Sequence, residues 1–585
     1  MGQLIGDTQK RKIACYRWRL TINSINTDGT ILNKILNRTF PSLSRLSFLL
    51  VTTLWISLLP NWATLSKFLS SVDAPNGVAH VAFVIGGWTA VFAITLLLLT
   101  LLSVVFWGRT IKWLCAIALI SASILGYFSL FLGTQFERTM FANMLQTHAG
   151  ETLELIGIRL IVWVLLLGVI PALILAQFRV ASTRRWWHSP TQTTIAVAGS
   201  FVLCGIFIFS LFQSYASAGR NRSITFHTLA PANIVAAGIS HWISTHSATI
   251  VRAPRGEDAK VSYKLAKPRL MVFVLGETAR AQNNALNGYA RETNERMRAE
   301  NVIYFPDTES CGTATAISLP CIFSGMTRED FSLREGRSRE TLIDVVARSG
   351  VKVIWRDNDG GCKGVCSRAD YKDLTNNTDP KWCTGDDNCF DEILLDGLEA
   401  DLRTITQDTL LIIHVKGSHG PAYYKRYPPA FERFKPTCKS NELTACDVES
   451  LVNAYDNTLV YTDHVLGETV SMLKRLSDQF IPAMLYASDH GESLGEKGLF
   501  LHGMPYAIAP KEQTRVPMMM WFSPQYLQAE RWTEACVRKQ ATVQRSHDNV
   551  YHTLLGLMEI ATKEYNETLD IFAECDKAAN ATPKP

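Results

Sequence analysis

Charge is what this sequence has least of. Asp, Glu, Lys and Arg make up 19% of 585 residues, and the 58 basic and 53 acidic side chains nearly cancel, leaving +5. That balance excludes a nucleic-acid-binding polycation, so no nucleic-acid partner is expected. With 47% hydrophobic residues it also excludes a disordered chain. No internal repeat or low-complexity tract is present, which removes solenoids and arrays. Cysteine is scarce before residue 215, where only Cys15, Cys115 and Cys204 occur. Charge is nearly missing from long runs in that same half. Two physically different halves share the chain.

The first half carries five apolar stretches, at about 45 to 65, 79 to 103, 111 to 133, 153 to 177 and 193 to 213. Each approaches or exceeds the roughly 20 residues needed to cross a bilayer. Arg45 begins the first stretch and Pro60 interrupts it. Some 44 mostly polar residues precede it and no small-residue cleavage site follows, so the first helix is expected to stay attached. Lys10, Arg11, Lys12, Arg17 and Arg19 precede helix one. Arg109 and Lys112 lie between helices two and three, and Arg179, Arg184 and Arg185 between four and five. By the positive-inside rule these segments face the cytoplasm. Five crossings from an internal N-terminus export everything after residue 214. The expected organisation is a cytoplasmic extension over 1–44, a five-helix transmembrane domain over 45–214, a linker with a helix near NIVAAGISHWI over 215–267, and an exported domain over 268–585. The linker helix has an apolar face that suits either the membrane surface or the soluble domain.

Cysteine usage tests that topology independently. The ten cysteines of the second half form close couples: Cys311 with Cys321, Cys362 with Cys366, Cys383 with Cys389, Cys438 with Cys446, and by elimination Cys536 with Cys575. Short loops close with the least entropy, and clustered, even-numbered cysteines imply an oxidising compartment. A zinc–thiolate site is the competing reading of the Cys362–Cys366 step, but the other couples lack such spacing.

From Pro268 onward RLMVFVLG, VKVIW, TLLIIHV and AMLYAS read as buried strands, with helical passages near 286 to 300, 338 to 349 and 449 to 476. This alternation predicts an α/β fold, a mostly parallel sheet with helices on both faces. Reactive residues fall where the strands end. Glu277 follows the first in GETAR, His414 and His419 lie in or after the third in HVKGSHGP, and Asp489 and His490 follow the fourth in SDHGES. In open α/β sheets the ligand crevice lies beyond the carboxyl ends of the strands. Two carboxylates and an imidazole brought to that rim suit Zn²⁺ or Mn²⁺, although each acid alone also reads as a helix cap. CGTATAISLPC places Thr313, Thr315 and Ser318 within one disulfide loop at a helix start. A hydroxyl there needs a metal or base to become a nucleophile. Spacing does not choose among the three.

The segments GETAR, CGTATAISLPC, WRDNDGGCKGVC, GSHGPAYYKRYP, AYDNTLVYTD, SDHGESLGEKGLFLHGMP and APKEQ together resemble the lipid A phosphoethanolamine transferases, over roughly 268 to 575 and in the same order. The GCKGVC passage is similar to the lipid A branch of that family. The resemblance implies an alkaline-phosphatase- or sulfatase-like fold behind the five-helix anchor. It implies Glu277, Asp489 and His490 as metal ligands, with Thr315 as nucleophile on the same Zn²⁺. One ion is tightly held, with room for a second. His419 and His502 match histidines that face the phosphate or bind the second metal, and Lys363 a lysine near the phosphoethanolamine group. His414 is expected to pack or support, and Asn358 and Asp359 receive no essential role. The implied activity is transfer of phosphoethanolamine from phosphatidylethanolamine to a lipid A phosphate through a threonine intermediate. A monomer in the bacterial inner membrane with its catalytic domain in the periplasm is expected, and polymyxin resistance is the implied phenotype. A phosphoglycerol transferase or sulfatase-like hydrolase on the same fold, and a catalytically inactive envelope scaffold, are the competing readings.

Overall fold

Apolar sequence becomes helix in one half of the chain and strand in the other, and run length decides which. The computed structural model describes residues 41–69, 77–106, 108–147, 149–181, 188–212, 214–215, 226–246, 252–384 and 389–580. The basic residues before position 20, Cys15, Arg184 and Arg185 lie outside these. Packing divides the chain into two units. The first comprises 1–126, 162–224 and 229–232, and the second 127–161, 225–228 and 233–585.

Among the described residues, four apolar helices are long enough to cross a membrane: α2 (Val78–Leu102), α3 (Ile111–Phe131), α5 (Ile158–Gln177) and α6 (His188–Ser210, apolar from Pro190). The expected first span is shorter. Helix α1 (Arg45–Leu58) has 14 residues, and Trp62–Leu69 forms a separate helix. Pro60 is the reason, because its ring and missing N–H break a helix and disfavour helical backbone before it. In the first unit Gly86 permits close approach of α2 and α6: a Cβ there would lie 2.6 Å from Phe207 Cβ. Polar groups find backbone partners, as when Trp55 Nε1 donates to Leu167 O at 2.9 Å and Trp163 Nε1 to Ser123 O at 2.9 Å.

In the second unit, helix α4 (Arg138–Gln146) and helix α7 (Ala232–His246) precede a seven-stranded sheet. The strands are β1 (Arg269–Gly276), β2 (Ile303–Phe305), β3 (Lys352–Asp357), β4 (Asp370–Asp373), β5 (Thr409–His414), β6 (Ile481–Ser488) and β7 (Met518–Phe522), in the spatial order β2-β7-β6-β1-β5-β3-β4. Neighbours from β6 through β4 pair in parallel, and only β7 runs antiparallel to its two neighbours. Strand β1 is buried along its whole length, as a central parallel strand must be, which is why it reads as one apolar run. Phe273, Trp355, Ile412 and Leu485 point into one core, and Val274, Leu411, Ile413 and Met484 into another on the opposite face. The second core is closed by Leu466, Val470 and Leu473 of the long helix Val448–Arg475. The passage expected to be helical near 286 to 300 is mostly short turns, with helix only at Glu295–Ala299. The five cysteine couples are each joined by a disulfide, while Cys115 and Cys204 are buried free thiols.

Candidate functional site

Strand register gathers the reactive residues. Gly276 pairs with Ser488 and Leu275 with His414, so Glu277 leaves β1 beside the point where Asp489 and His490 leave β6. Thr278 turns the chain there in the left-handed region (φ 53°), and its N–H donates to Asp489 Oδ1 at 3.3 Å. Gly417 makes that turn possible from the other side, since a Cβ there would lie 2.8 Å from Glu277 O.

Helix α8 (Thr315–Ile322) delivers the hydroxyl, with Thr315 as its first residue and Ala314 supplying no side-chain cap. The loop before it is pinned from several sides. Cys311 N donates to His547 Nδ1 at 3.0 Å, Thr313 Oγ1 to Met504 O at 2.6 Å and Gly503 N to Thr313 O at 2.7 Å. Thr313 is thus tied to backbone, and the hydroxyl of Ser318 is buried elsewhere on the helix without a partner among the described residues. Thr315 alone of the three meets the acids. Its Oγ1 lies 3.2 Å from Glu277 Oε2 and 3.4 Å from His490 Nε2.

Glu277, Asp489 and His490 are almost wholly buried and offer ligand atoms within 4.8 Å of one another. His490 Nε2 stands 3.4 Å from Glu277 Oε1 and 3.3 Å from Asp489 Oδ2. Those two oxygens accept no hydrogen bond among the described residues. Burial first, then the carboxylates of Asp489 and Asp359, push Glu277 well above the usual carboxylate range. Burial likewise lowers the pKa of His490, leaving a neutral imidazole. Orphaned oxygens, a neutral nitrogen and uncompensated negative charge are the chemistry of a cation site.

Two further sets adjoin this one. His490, Glu492 and His502 gather within the same limit, with His502 Nδ1 2.8 Å from Glu492 Oε2 and Tyr423 Oη donating to Glu492 Oε1 at 2.6 Å. Glu277, Asp359 and His414 form the other. His414 Nδ1 lies 2.9 Å from Asp357 Oδ2, its cross-strand partner. Burial alone would raise Asp357 and lower His414; their pairing reverses both. His419 is at the rim, its ring edge-on to His502 at 5.6 Å. Burial, then the neighbouring His502, Arg426 and Lys416, hold it well below the usual range. Lys363 also has left-handed backbone (φ 49°). Its Nζ donates to Gly360 O at 3.1 Å, and its charge favours the ionised form of Glu277.

Sequence reasoning therefore placed Thr315, Glu277, Asp489 and His490 in one group, as they are found, but set Asp359 aside and passed over Asp357, Glu492 and His547. Three of these had a readable signal: Asp357 and Asp359 sit just where VKVIW ends, and Glu492 lies inside SDHGES.

Residues 269–560 match the sulfatase family, and residues 94–245 the family described as phosphoethanolamine transferase EptA/EptB. Over 94% of its length the chain is 37% identical to phosphoethanolamine transferase EptA of Escherichia coli K12, covering all of that protein. Over 83% of its length it is 34% identical to phosphatidylethanolamine transferase Mcr-1 of Escherichia coli, covering 90% of it. Among solved structures, the integral membrane protein lipooligosaccharide phosphoethanolamine transferase A of Neisseria meningitidis is similar at a TM-score of 0.87 and 34% identity, over 92% of this chain and 99% of that one.

Proposed function

Because the chain belongs to the EptA family of phosphoethanolamine transferases, we propose that it is an inner-membrane enzyme with a periplasmic catalytic domain that moves phosphoethanolamine from phosphatidylethanolamine to a phosphate of lipid A by way of Thr315. The observation that carries this reading is the hydroxyl of Thr315 within 3.4 Å of both an acid and an imidazole, beside carboxylate oxygens of Glu277 and Asp489 that accept no hydrogen bond among the described residues. Glu277, Asp489, His490 and Thr315 would hold one Zn²⁺, and His490, Glu492 and His502 offer donors for a second. Bound zinc supplies a Lewis acid that lowers the pKa of a hydroxyl and offsets phosphoryl charge.

The chain's own residues do the rest. Thr315 Oγ1 directs its proton at Glu277 Oε2, which leaves a lone pair for the donor phosphorus. As the Oγ–P bond forms, the P–O bond to diacylglycerol breaks, and the departing oxygen takes a proton. His419, kept neutral at the rim, is placed to orient a phosphoryl oxygen, and Lys363 to offset its charge. A lipid A phosphate oxygen then attacks the phosphothreonine, releasing Thr315. Splitting the transfer lets two bulky lipids use one site in turn. The membrane helices keep the enzyme in the bilayer that holds both lipids, so high local concentration replaces tight binding. The proposed chemistry needs only one copy of the chain, and we propose a monomer. Each ammonium added to lipid A weakens attraction for cationic peptides, giving polymyxin resistance.

Mass spectrometry of lipid A from cells making the chain or its Thr315→Ala variant tests the reading. Added phosphoethanolamine with the unsubstituted chain, falling at least about 10³-fold in the variant at equal expression, is expected. Glycerol phosphate on the product, donor hydrolysis without transfer, or modification that survives Thr315→Ala contradicts it.

A further inference from the structure

A cavity of about 570 Å³ opens beside Lys363, bordered by Gln146, Arg252, Pro320, Arg337, Thr341 and Lys363. Its size is that of a small-molecule site. It borders the reaction centre: Pro320 lies on α8, five residues beyond Thr315, and the charge of Lys363 reaches Glu277. Three cations line it, and no carboxylate does. Arg252 is fixed by local acceptors, donating from Nη2 to Gly364 O at 2.7 Å and from Nη1 to Ser367 Oγ at 3.2 Å. Arg337, the last residue of helix α9 (Leu333–Arg337), is half-buried and has no hydrogen bond or ion pair among the described residues. Burial lowers its pKa with no acidic neighbour to oppose it. A guanidinium in that position is costly unless an anion completes it. Gln146, at the end of α4, also lines the cavity, and its Oε1 is buried without a partner among the described residues, an acceptor suited to a ligand hydroxyl.

The two lipids of the reaction differ in what they bring to such a wall. The donor head group is a zwitterion without net charge, and its ammonium is repelled by Arg252 and Arg337. The acceptor is a phosphorylated sugar, with net negative charge and free hydroxyls. We propose that this cavity is an acceptor subsite that holds a sugar and its non-reacting phosphate, with Arg337 and Arg252 gripping the phosphate and Gln146 a hydroxyl, while the second phosphate of the same glycolipid reaches Thr315. The inference rests on the transferase reading above and adds to it where the acceptor binds.

The test is steady-state kinetics of the full-length enzyme in detergent with lipid A varied. Arg337→Gln is expected to raise the KM for lipid A about tenfold, with kcat within about twofold and the KM for phosphatidylethanolamine unmoved. Arg337→Lys recovers most of the loss, and Arg252→Gln, at an exposed position, moves the same constant in the same direction. Inorganic phosphate competes with lipid A, and its inhibition constant rises in Arg337→Gln by a similar factor. An unchanged lipid A KM in both glutamine variants, a rise in the donor KM instead, or phosphate inhibition insensitive to Arg337 overturns the subsite. Diacylglycerol release by the unsubstituted enzyme separates the two readings. If it is absent, the transferase reading fails; if it is present while the acceptor KM ignores Arg337, only the subsite fails.

Discussion

In the first unit Phe209 stands 85% exposed and Ile206 61%, whereas in the second Phe273 and Trp355 are completely buried. The same residue types meet different solvents. Only 11% of the apolar window of α6 is buried against the described residues, a surface that lipid would cover at no hydrophobic cost. The second unit instead packs two cores around a sheet and then places carboxylates, imidazoles and a hydroxyl at its rim, each buried. Stability in the first unit comes from backbone hydrogen bonds kept inside helices. In the second it comes from burial, five disulfides and charge that needs a partner. The comparison teaches that functional strain is confined to the unit with the means to offset it.

The sharpest way to break this comparison is to remove the cation. Chelation should abolish transfer and lower the melting temperature of the second unit while leaving the first unit's transition in place. Glu277→Gln should then raise the melting temperature of the chelated protein, because one of two buried like charges is gone, and lower that of the zinc-loaded protein. Scanning fluorimetry with and without chelator reads both signs, and a drop in both states contradicts the site.

The next lever is covalent. All five disulfides lie in the second unit. Opening the loop of Cys536–Cys575, separated by 39 residues, by paired alanine substitution should cost about 4 kcal/mol on chain-entropy grounds. The four-residue step of Cys362–Cys366 should cost about 2 kcal/mol. Equal costs, or a larger effect of reductant on the first unit, would reverse the ranking.

A smaller effect is expected from pH. His547 Nδ1 accepts from Cys311 N and its Nε2 donates to Ser488 O, so only the neutral ring satisfies both. Burial pushes its pKa down to about 4, below the usual imidazole value of about 6.5. The unfolded chain therefore takes up the proton first. The stabilisation is complete above about pH 6.5 and is lost as pH falls toward 4, by up to about 3 kcal/mol. Urea midpoints at pH 7 and pH 4.5, compared between the unsubstituted chain and His547→Gln, should show a slope that the variant lacks. Smallest of all, Phe209→Ala should shift detergent stability by less than about 1 kcal/mol; a core-sized loss of about 3–5 kcal/mol would place Phe209 against protein.

The legible parts of the fold share one property, a local signal. Strands β1, β5 and β6 are continuous apolar runs that stop abruptly, so Glu277, Asp489 and His490 stood out where they stop. The Met-rich strand β7 is missing from the sequence reading, because methionine favours helix and antiparallel pairing with two neighbours follows no run length. The Asp357–His414 pair depends on knowing that β3 neighbours β5, and the contact of His547 with Cys311 spans 236 residues of sequence. Neither leaves a local trace. The first apolar run is divided where the sequence shows it, at Pro60, with helix over Arg45–Leu58 before it and Trp62–Leu69 after it.

One measurement reaches the centre of the account: incubate the full-length zinc-loaded enzyme with phosphatidylethanolamine and no acceptor, then map the modified peptide by mass spectrometry. Phosphoethanolamine on Thr315, discharged when lipid A is added, is the predicted result. Modification at Thr313 or Ser318, or diacylglycerol released with no covalent adduct, would contradict it.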